Sequence, residues 1–140
     1  MIALAVMLFA ALIVGLVDQA SKSLVTARMK PGDFHALLGP VGLRRIESVA
    51  AGYTHLSRMP LLAVAIVLVV FVLGLVGMQR SLSMWAALGL GLLVGAALSN
   101  LLDRFLRGGV VDFIAVRGWR TFNLADAAMV AGAVVTWSAL

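Results

Sequence analysis

Four apolar stretches limit what this chain can fold into. They cover residues 1–17, 59–78, 82–98 and 122–140, and the last is interrupted by Asn123 and Asp126. A bilayer core of about 30 Å needs about 20 helical residues. The second stretch is long enough to cross it unaided, and the others need a few flanking residues. The pattern predicts an all-α membrane protein with four transmembrane helices.

Composition supports this class of protein. Of the 140 residues 63% are hydrophobic, and the mean hydropathy is +1.10, values outside the usual range of soluble domains. The length suits a single domain over residues 1–140, with spans at about 1–22, 59–78, 82–102 and 122–140. A secretory signal peptide is the alternative for the first stretch, but its start has no basic residue and no small-x-small cleavage site follows it. We therefore expect a membrane span there.

Charge and cysteine content exclude several kinds of site. The chain has 11 basic and 6 acidic residues, a formal net charge of +5, which in a membrane protein favours anionic lipid headgroups as partners rather than nucleic acid. It has no cysteine, and His35 and His55 lack the spacing of metal ligands. The sequence predicts no metal site and no cofactor.

The loops and the third span carry local signals. Residues 110–116 are apolar apart from Asp112 and follow the Gly108-Gly109 break, which predicts a short extended segment. Residues 43–56 of the long first loop are too ambiguous in period to assign. Small residues recur every fourth position of the third span, at Ala87, Gly91, Gly95 and Ser99; we interpret this stripe as close helix packing.

Polar residues are expected to converge at one end of the four-span bundle. With four spans, the first and third loops lie on the same side of the membrane. Residues three or four positions apart share a helix face. Three such sets occur at that end: Asp18 with Lys22; Asn100 with Asp103 and Arg104; and Asn123 with Asp126.

Asp126 and Asp112 are the strongest functional candidates. A charge inside a span costs about 2.5–3.5 kcal/mol, and Asp126 is predicted about one turn inside the last helix, while the segment of Asp112 leads back to that helix. Asp103 is interpreted as a scaffold residue that pairs with Arg104 or Lys22. Asp18 with Lys22 is either a boundary ion pair or part of the site, and Asn100 and Asn123 either cap helices or hold a carboxylate.

Two neighbouring carboxylates suit hydrolysis. In a pocket of low dielectric they share one proton, so that one carboxylate acts as general base on a water molecule and the other as general acid toward a carbonyl. Proton or ion transport is the competing use of membrane carboxylates, but such groups usually lie near the midplane. A position at one face favours hydrolysis of a substrate that reaches that face.

These residues also carry a resemblance to a known family. The segments VDQASK (17–22), GAALSNLLDR (95–104), GGVVDFI (108–114) and FNLADAAM (122–129) resemble the lipoprotein signal peptidase family, also called signal peptidase II, bacterial aspartic peptidases with four transmembrane helices. The resemblance implies cleavage of the signal peptide from diacylglyceryl-modified prolipoproteins. It makes Asp112 and Asp126 the catalytic pair, with supporting or substrate-binding roles for the rest: Asn100, Asp103, Arg104, Asn123, Asp18 and Lys22.

We also expect a monomer. The resemblance further implies a location in the bacterial cytoplasmic (inner) membrane, with the active site near the extracytoplasmic face and a small loop or β platform between helices 1 and 2. The positive-inside rule predicts the reverse orientation, because the first and third loops, together with Lys22 at the end of the first span, hold ten of the eleven basic residues; we follow the resemblance. Glu47 and Gly52 replace a family asparagine and phenylalanine. A divergent relative that cuts another membrane-anchored substrate and a non-enzymatic proton- or ion-handling bundle stay open as alternatives.

Overall fold

The computed structural model describes residues 2–49 and 82–139. Two features of the sequence, the predicted second span at 59–78 and Gly52, lie outside these ranges. Within these ranges the chain forms three helices and a small sheet. The elements in order are α1 (Ile2–Arg28), β1 (Phe34–Leu38), β2 (Val41–Val49), α2 (Met84–Leu106), β3 (Gly109–Val116) and α3 (Leu124–Ala139).

Helices α1 and α2 are long and apolar enough to cross a membrane, and α3 is a shorter apolar helix. These three correspond to the first, third and fourth predicted spans. Helix α1 extends to Arg28, six residues beyond the predicted end at Lys22. The prediction followed the loss of hydropathy, whereas the last turns of α1 are held by packing, because Val25 is buried in a cluster with Met29 and Phe113 of β3.

Glycines set the close approach of the helices. A side chain on Gly95 would lie 2.5 Å from the carbonyl oxygen of Ala11 in α1, and one on Gly91 would meet the carbonyl oxygen of Met7. On another face of α2, Gly89 lies against Gly132 of α3. The packing interpretation of the small-residue stripe is confirmed at Gly91 and Gly95. The order of these contacts makes α2 parallel to α1 and antiparallel to α3.

The sheet is antiparallel, with strand order β1-β2-β3. Strand β3 confirms the predicted extended segment. The β1–β2 hairpin supplies the platform expected in the first loop, although the sequence pattern alone did not predict it. In β2, Glu47 pairs through its backbone with Val111 of β3. Since β3 connects the end of α2 to the start of α3, the sheet carries Asp112 to the polar ends of the helices.

Candidate active site

Asn123 caps the N-terminus of α3 and orders its first turn. Its side-chain Oδ1 accepts a hydrogen bond of 2.9 Å from the backbone N–H of Asp126, and the carboxylate of Asp126 accepts one of 3.3 Å from the backbone N–H of Asn123. This reciprocal pair is the arrangement of a capping box. Asp126 therefore lies in the first turn of α3, nearer the helix end than the predicted full turn inside, because α3 begins at Leu124 rather than at residue 122.

The same asparagine binds the second predicted catalytic residue. Asn123 Nδ2 donates a hydrogen bond of 2.8 Å to Asp112 Oδ1 on β3. Asn123 is fully buried, whereas Asp112 and Asp126 are both half-buried. Asn123 thus links the two carboxylates, Asp112 through its side-chain amide and Asp126 through its backbone N–H. The two carboxylates are separated by thirteen residues in sequence and keep access to solvent.

Asn100 extends this amide link toward α1. Its Nδ2 donates to Asp126 Oδ1 at 3.0 Å, and its Oδ1 accepts hydrogen bonds from Asn123 Nδ2 at 3.2 Å and from Lys22 Nζ at 2.9 Å. These bonds fix which end of the Asn100 amide faces Asp126. Asn100 therefore presents a hydrogen-bond donor to Asp126, while the ammonium group of Lys22 lies behind it.

A buried ion cluster lies beneath the two carboxylates; we use this name for Asp18, Lys22, Asp103 and Arg107. Lys22 Nζ lies 2.5 Å from Asp18 Oδ2 and 2.7 Å from Asp103 Oδ2, and all three side chains have zero exposure. Arg107 forms an ion pair with the other oxygen of Asp103. Two carboxylates and two cations balance, which offsets the large cost of burying isolated charges.

Asp18 also connects the buried ion cluster to α3. Its carboxylate accepts hydrogen bonds from Ser99 Oγ at 2.7 Å and from the backbone N–H of Ala125 at 2.9 Å. A carboxylate at a helix N-terminus is favoured because the free N–H groups and the helix dipole face it. Asp18 thereby fixes the helix end that carries Asp126.

Asp103 connects the cluster to β3. Besides Lys22 and Arg107, its Oδ2 accepts a contact of 3.4 Å from the backbone N–H of Val111, the residue before Asp112. The scaffold interpretation of Asp103 thus agrees with the geometry, and so does its predicted pairing with Lys22. The predicted partner Arg104 instead donates to the carbonyl oxygen of Asn100 at 3.2 Å.

Two residues that the sequence interpretation missed complete the site. Gln19 Nε2 bonds to Ser99 Oγ at 3.0 Å and to Asp103 Oδ1 at 2.9 Å, and its Oε1 accepts from Arg107 at 2.9 Å. Spacing offered a signal for Arg107, which follows Asp103 by four residues. For Gln19 the signal was an uncharged polar residue directly beside Asp18 at the end of an apolar helix.

The described groups of the site are paired, and this pairing holds the two carboxylates in place. In residues 2–49 and 82–139, no group of three or more His, Asp or Glu side chains is arranged to hold a metal ion. Every buried side-chain nitrogen and oxygen in these ranges has a hydrogen-bond partner. A network without unsatisfied groups is rigid, so Asp112 and Asp126 are held in fixed positions at the polar end of the helices.

Comparison with known proteins identifies the family. The model of the signal peptidase (SPase) II family matches residues 10–140. A lipoprotein signal peptidase of Rhodococcus jostii (strain RHA1) is 41% identical over 126 residues, which cover 84% of this chain and 63% of that protein. A lipoprotein signal peptidase of Mycobacterium tuberculosis (strain H37Rv) is 34% identical over 145 residues, covering 94% of this chain and 69% of that protein.

The fold is shared with a solved structure. A bacterial membrane enzyme determined by the in meso method at 1.9 Å resolution superposes with a TM-score of 0.85 at 23% identity, over 95% of this chain and 90% of that one. The present chain spans 63% and 44% of the length of two curated relatives, those of R. jostii and Mycobacterium leprae. Because the family model matches nearly the whole chain, this protein belongs to the signal peptidase II family.

Proposed function

We propose that this protein is a membrane aspartic endopeptidase that removes the signal peptide from diacylglyceryl-modified prolipoproteins, with Asp112 and Asp126 as its catalytic pair. The observation that carries the proposal is that Asn123 binds both carboxylates, Asp112 through its side-chain Nδ2 and Asp126 through its backbone N–H. The substrate class follows from the family and from relatives named lipoprotein signal peptidase.

The proposed reaction is the addition of water to the scissile carbonyl. One carboxylate of the pair takes a proton from the water as its oxygen attacks the carbonyl carbon, and the other donates a proton toward the carbonyl oxygen. The peptide C–N bond then breaks as the departing nitrogen receives a proton. Asn123 holds the two carboxylates in register, and Asn100 steadies Asp126 through its Nδ2.

The position of the pair favours this reaction over ion handling. Asp126 lies in the first turn of α3, and its helix has thirteen further residues beyond it. Carboxylates that move ions across a membrane usually lie near the midplane. A lipid-anchored substrate presents its scissile bond at the membrane boundary, where a pair at the helix ends meets it.

The remaining parts of the proposal concern the membrane arrangement. We infer four spans, with the segment 59–78 as the second, and a monomer in the bacterial inner membrane with its site toward the extracytoplasmic face. Because the chain has no cysteine, a single thiol at His35→Cys, an exposed position of β1 outside the hairpin turn, reports the side of the sheet. Labelling of that thiol only from the cytoplasmic side would contradict the inferred orientation, and Met84→Cys at the opposite end is the control.

Cleavage of a diacylglyceryl-prolipoprotein tests the activity. We expect Asp112→Asn and Asp126→Asn each to lower the cleavage rate by about 100-fold or more. Asp33→Asn is the matched control, because the Asp33 carboxylate lies in the turn before β1 and accepts a hydrogen bond from the backbone N–H of Lys30, and it should cleave at the wild-type rate. Wild-type cleavage by either site variant would rule out the pair, and proton flux in liposomes that depends on Asp126 would favour an ion-handling bundle.

A further inference from the structure

Two turns of the sheet meet at its end farthest from the active site. The backbone N–H of Arg117, after β3, donates a hydrogen bond of 2.8 Å to the carbonyl oxygen of Pro40 in the β1–β2 turn. We name the resulting surface the sheet tip and define it by five residues that the two turns contribute or flank: Leu37, Leu38, Arg117, Trp119 and Arg120.

Large apolar side chains project from the sheet tip. Leu38 is 83% exposed, Trp119 80% and Leu37 56%. The turn that presents Trp119 is ordered, because its N–H donates to the carbonyl oxygen of Val116 at 2.9 Å and Gly118 adopts a φ of 81°. Contiguous exposed apolar groups on ordered turns usually mark an interaction surface.

The charges at the sheet tip are basic. Arg117 and Arg120 are both exposed beside Trp119. Asp33, the acidic residue next to the hairpin, lies at the other end of β1 and bonds to the backbone N–H of Lys30. Apolar side chains flanked by arginines are typical of surfaces that enter the boundary between acyl chains and anionic headgroups.

The positions of the three tryptophans support a sheet tip at the membrane boundary. Trp85 lies in the first turn of α2 and Trp137 in the last turn of α3. They are 68% and 84% exposed, and the antiparallel packing of these two helices puts both at the end opposite the active site. Trp119, at the sheet tip, lies on the same side of the helix bundle as the active site. Tryptophan is enriched at both membrane–water interfaces, so three exposed tryptophans divided between the two ends match a bilayer around the helices.

We infer that the sheet tip is a membrane anchor that inserts Leu38 and Trp119 into the interface and binds anionic phospholipid headgroups through Arg117 and Arg120. The inference rests on the membrane embedding proposed above, not on peptidase activity. Such an anchor fixes the sheet, and with it Asp112 on β3, at the height of the bilayer boundary.

Fluorescence quenching in nanodiscs tests the inference. The variant Trp85→Phe/Trp137→Phe leaves Trp119 as the single tryptophan, and bromine on the acyl chains of either phosphatidylglycerol or phosphatidylcholine serves as the quencher. We expect blue-shifted emission, weak quenching by aqueous iodide and stronger quenching by the anionic lipid. Because each arginine near an anionic surface contributes about 1 kcal/mol, this preference should fall about 5-fold for each of Arg117→Gln and Arg120→Gln.

Controls separate the possible outcomes. Arg28→Gln/Arg44→Gln removes two exposed charges outside the sheet tip and should leave the lipid preference unchanged. Solvent-like emission with strong iodide quenching would overturn the anchor. Emission insensitive to both quenchers would overturn it too, because it would mean that protein covers Trp119. Peptidase activity is measured separately in the same nanodiscs, so a failure of the proposed function does not affect the fluorescence result.

Discussion

Removing Lys22 from the centre of the site is predicted to be strongly destabilising. Its ammonium group lies within 3 Å of three acceptors, at 2.5 Å from Asp18, 2.7 Å from Asp103 and 2.9 Å from Asn100. In Lys22→Met a side chain of similar length keeps the packing but leaves one uncompensated negative charge among fully buried groups. The substitution therefore isolates the electrostatic role of Lys22.

The magnitude follows from the burial of the partners. Breaking a buried ion pair by removing one member costs about 3–5 kcal/mol. Asp103 keeps Arg107 and Asp18 keeps Ser99 and the N–H of Ala125, so we expect the lower part of that range, about 3 kcal/mol. In Lys22→Met/Asp103→Asn the excess charge is removed, and the loss should be smaller than the sum of the two single losses, with a coupling of about 0.5–3 kcal/mol.

The assay is reversible denaturation in detergent micelles, followed by circular dichroism. Lys30→Met is the matched control, since Lys30 is exposed. This substitution should change the free energy of unfolding by less than about 0.5 kcal/mol. A free energy of unfolding for Lys22→Met equal to that of the control would refute the view that Lys22 neutralises the buried carboxylates.

Three further substitutions probe the helix ends and the packing. Asn123→Ala should lower helix stability by about 1 kcal/mol through the lost cap and reduce cleavage as well; unchanged cleavage kinetics would show that the amide does not position the carboxylates. Gly95→Ala should destabilise by about 1–3 kcal/mol, because the new methyl group meets α1, whereas Gly15→Ala, with open space around it, should not; equal melting temperatures would contradict the packing. Gln19→Leu should destabilise by about 1–3 kcal/mol, since it removes partners of buried Asp103 and Ser99; denaturation that matches wild type would count against this.

Sequence reasoning predicted the convergence of the site because helical spacing and loop parity are local rules. Asp18 and Lys22, four residues apart in α1, pair as that spacing requires. The extended segment that carries Asp112 and the helix that carries Asp126 were both recognisable in the sequence pattern. Asn123, between them, links the two residues. These features depend on periodicity, which sequence preserves.

What the sequence did not predict depends on contacts between distant elements. Gln19 bonds to Ser99 and Asp103, which are eighty or more positions away, and no pattern within α1 indicates that partner. Arg104 and Arg107 both lie near Asp103, and the register of α2 against α1 decides which arginine pairs with it. The β1–β2 hairpin is stabilised by pairing with β3, so its own sequence pattern was not enough to predict it.

The most direct test of the account is a double-mutant cycle on the proposed catalytic pair. Single-turnover cleavage of a diacylglyceryl-prolipoprotein is measured for wild type, Asp112→Asn, Asp126→Asn and the double variant. Because residues that act as one unit are strongly non-additive, the double variant should be no slower than the slower single variant. Losses that multiply in the double variant would mean that the two carboxylates act independently and would contradict the shared-proton pair.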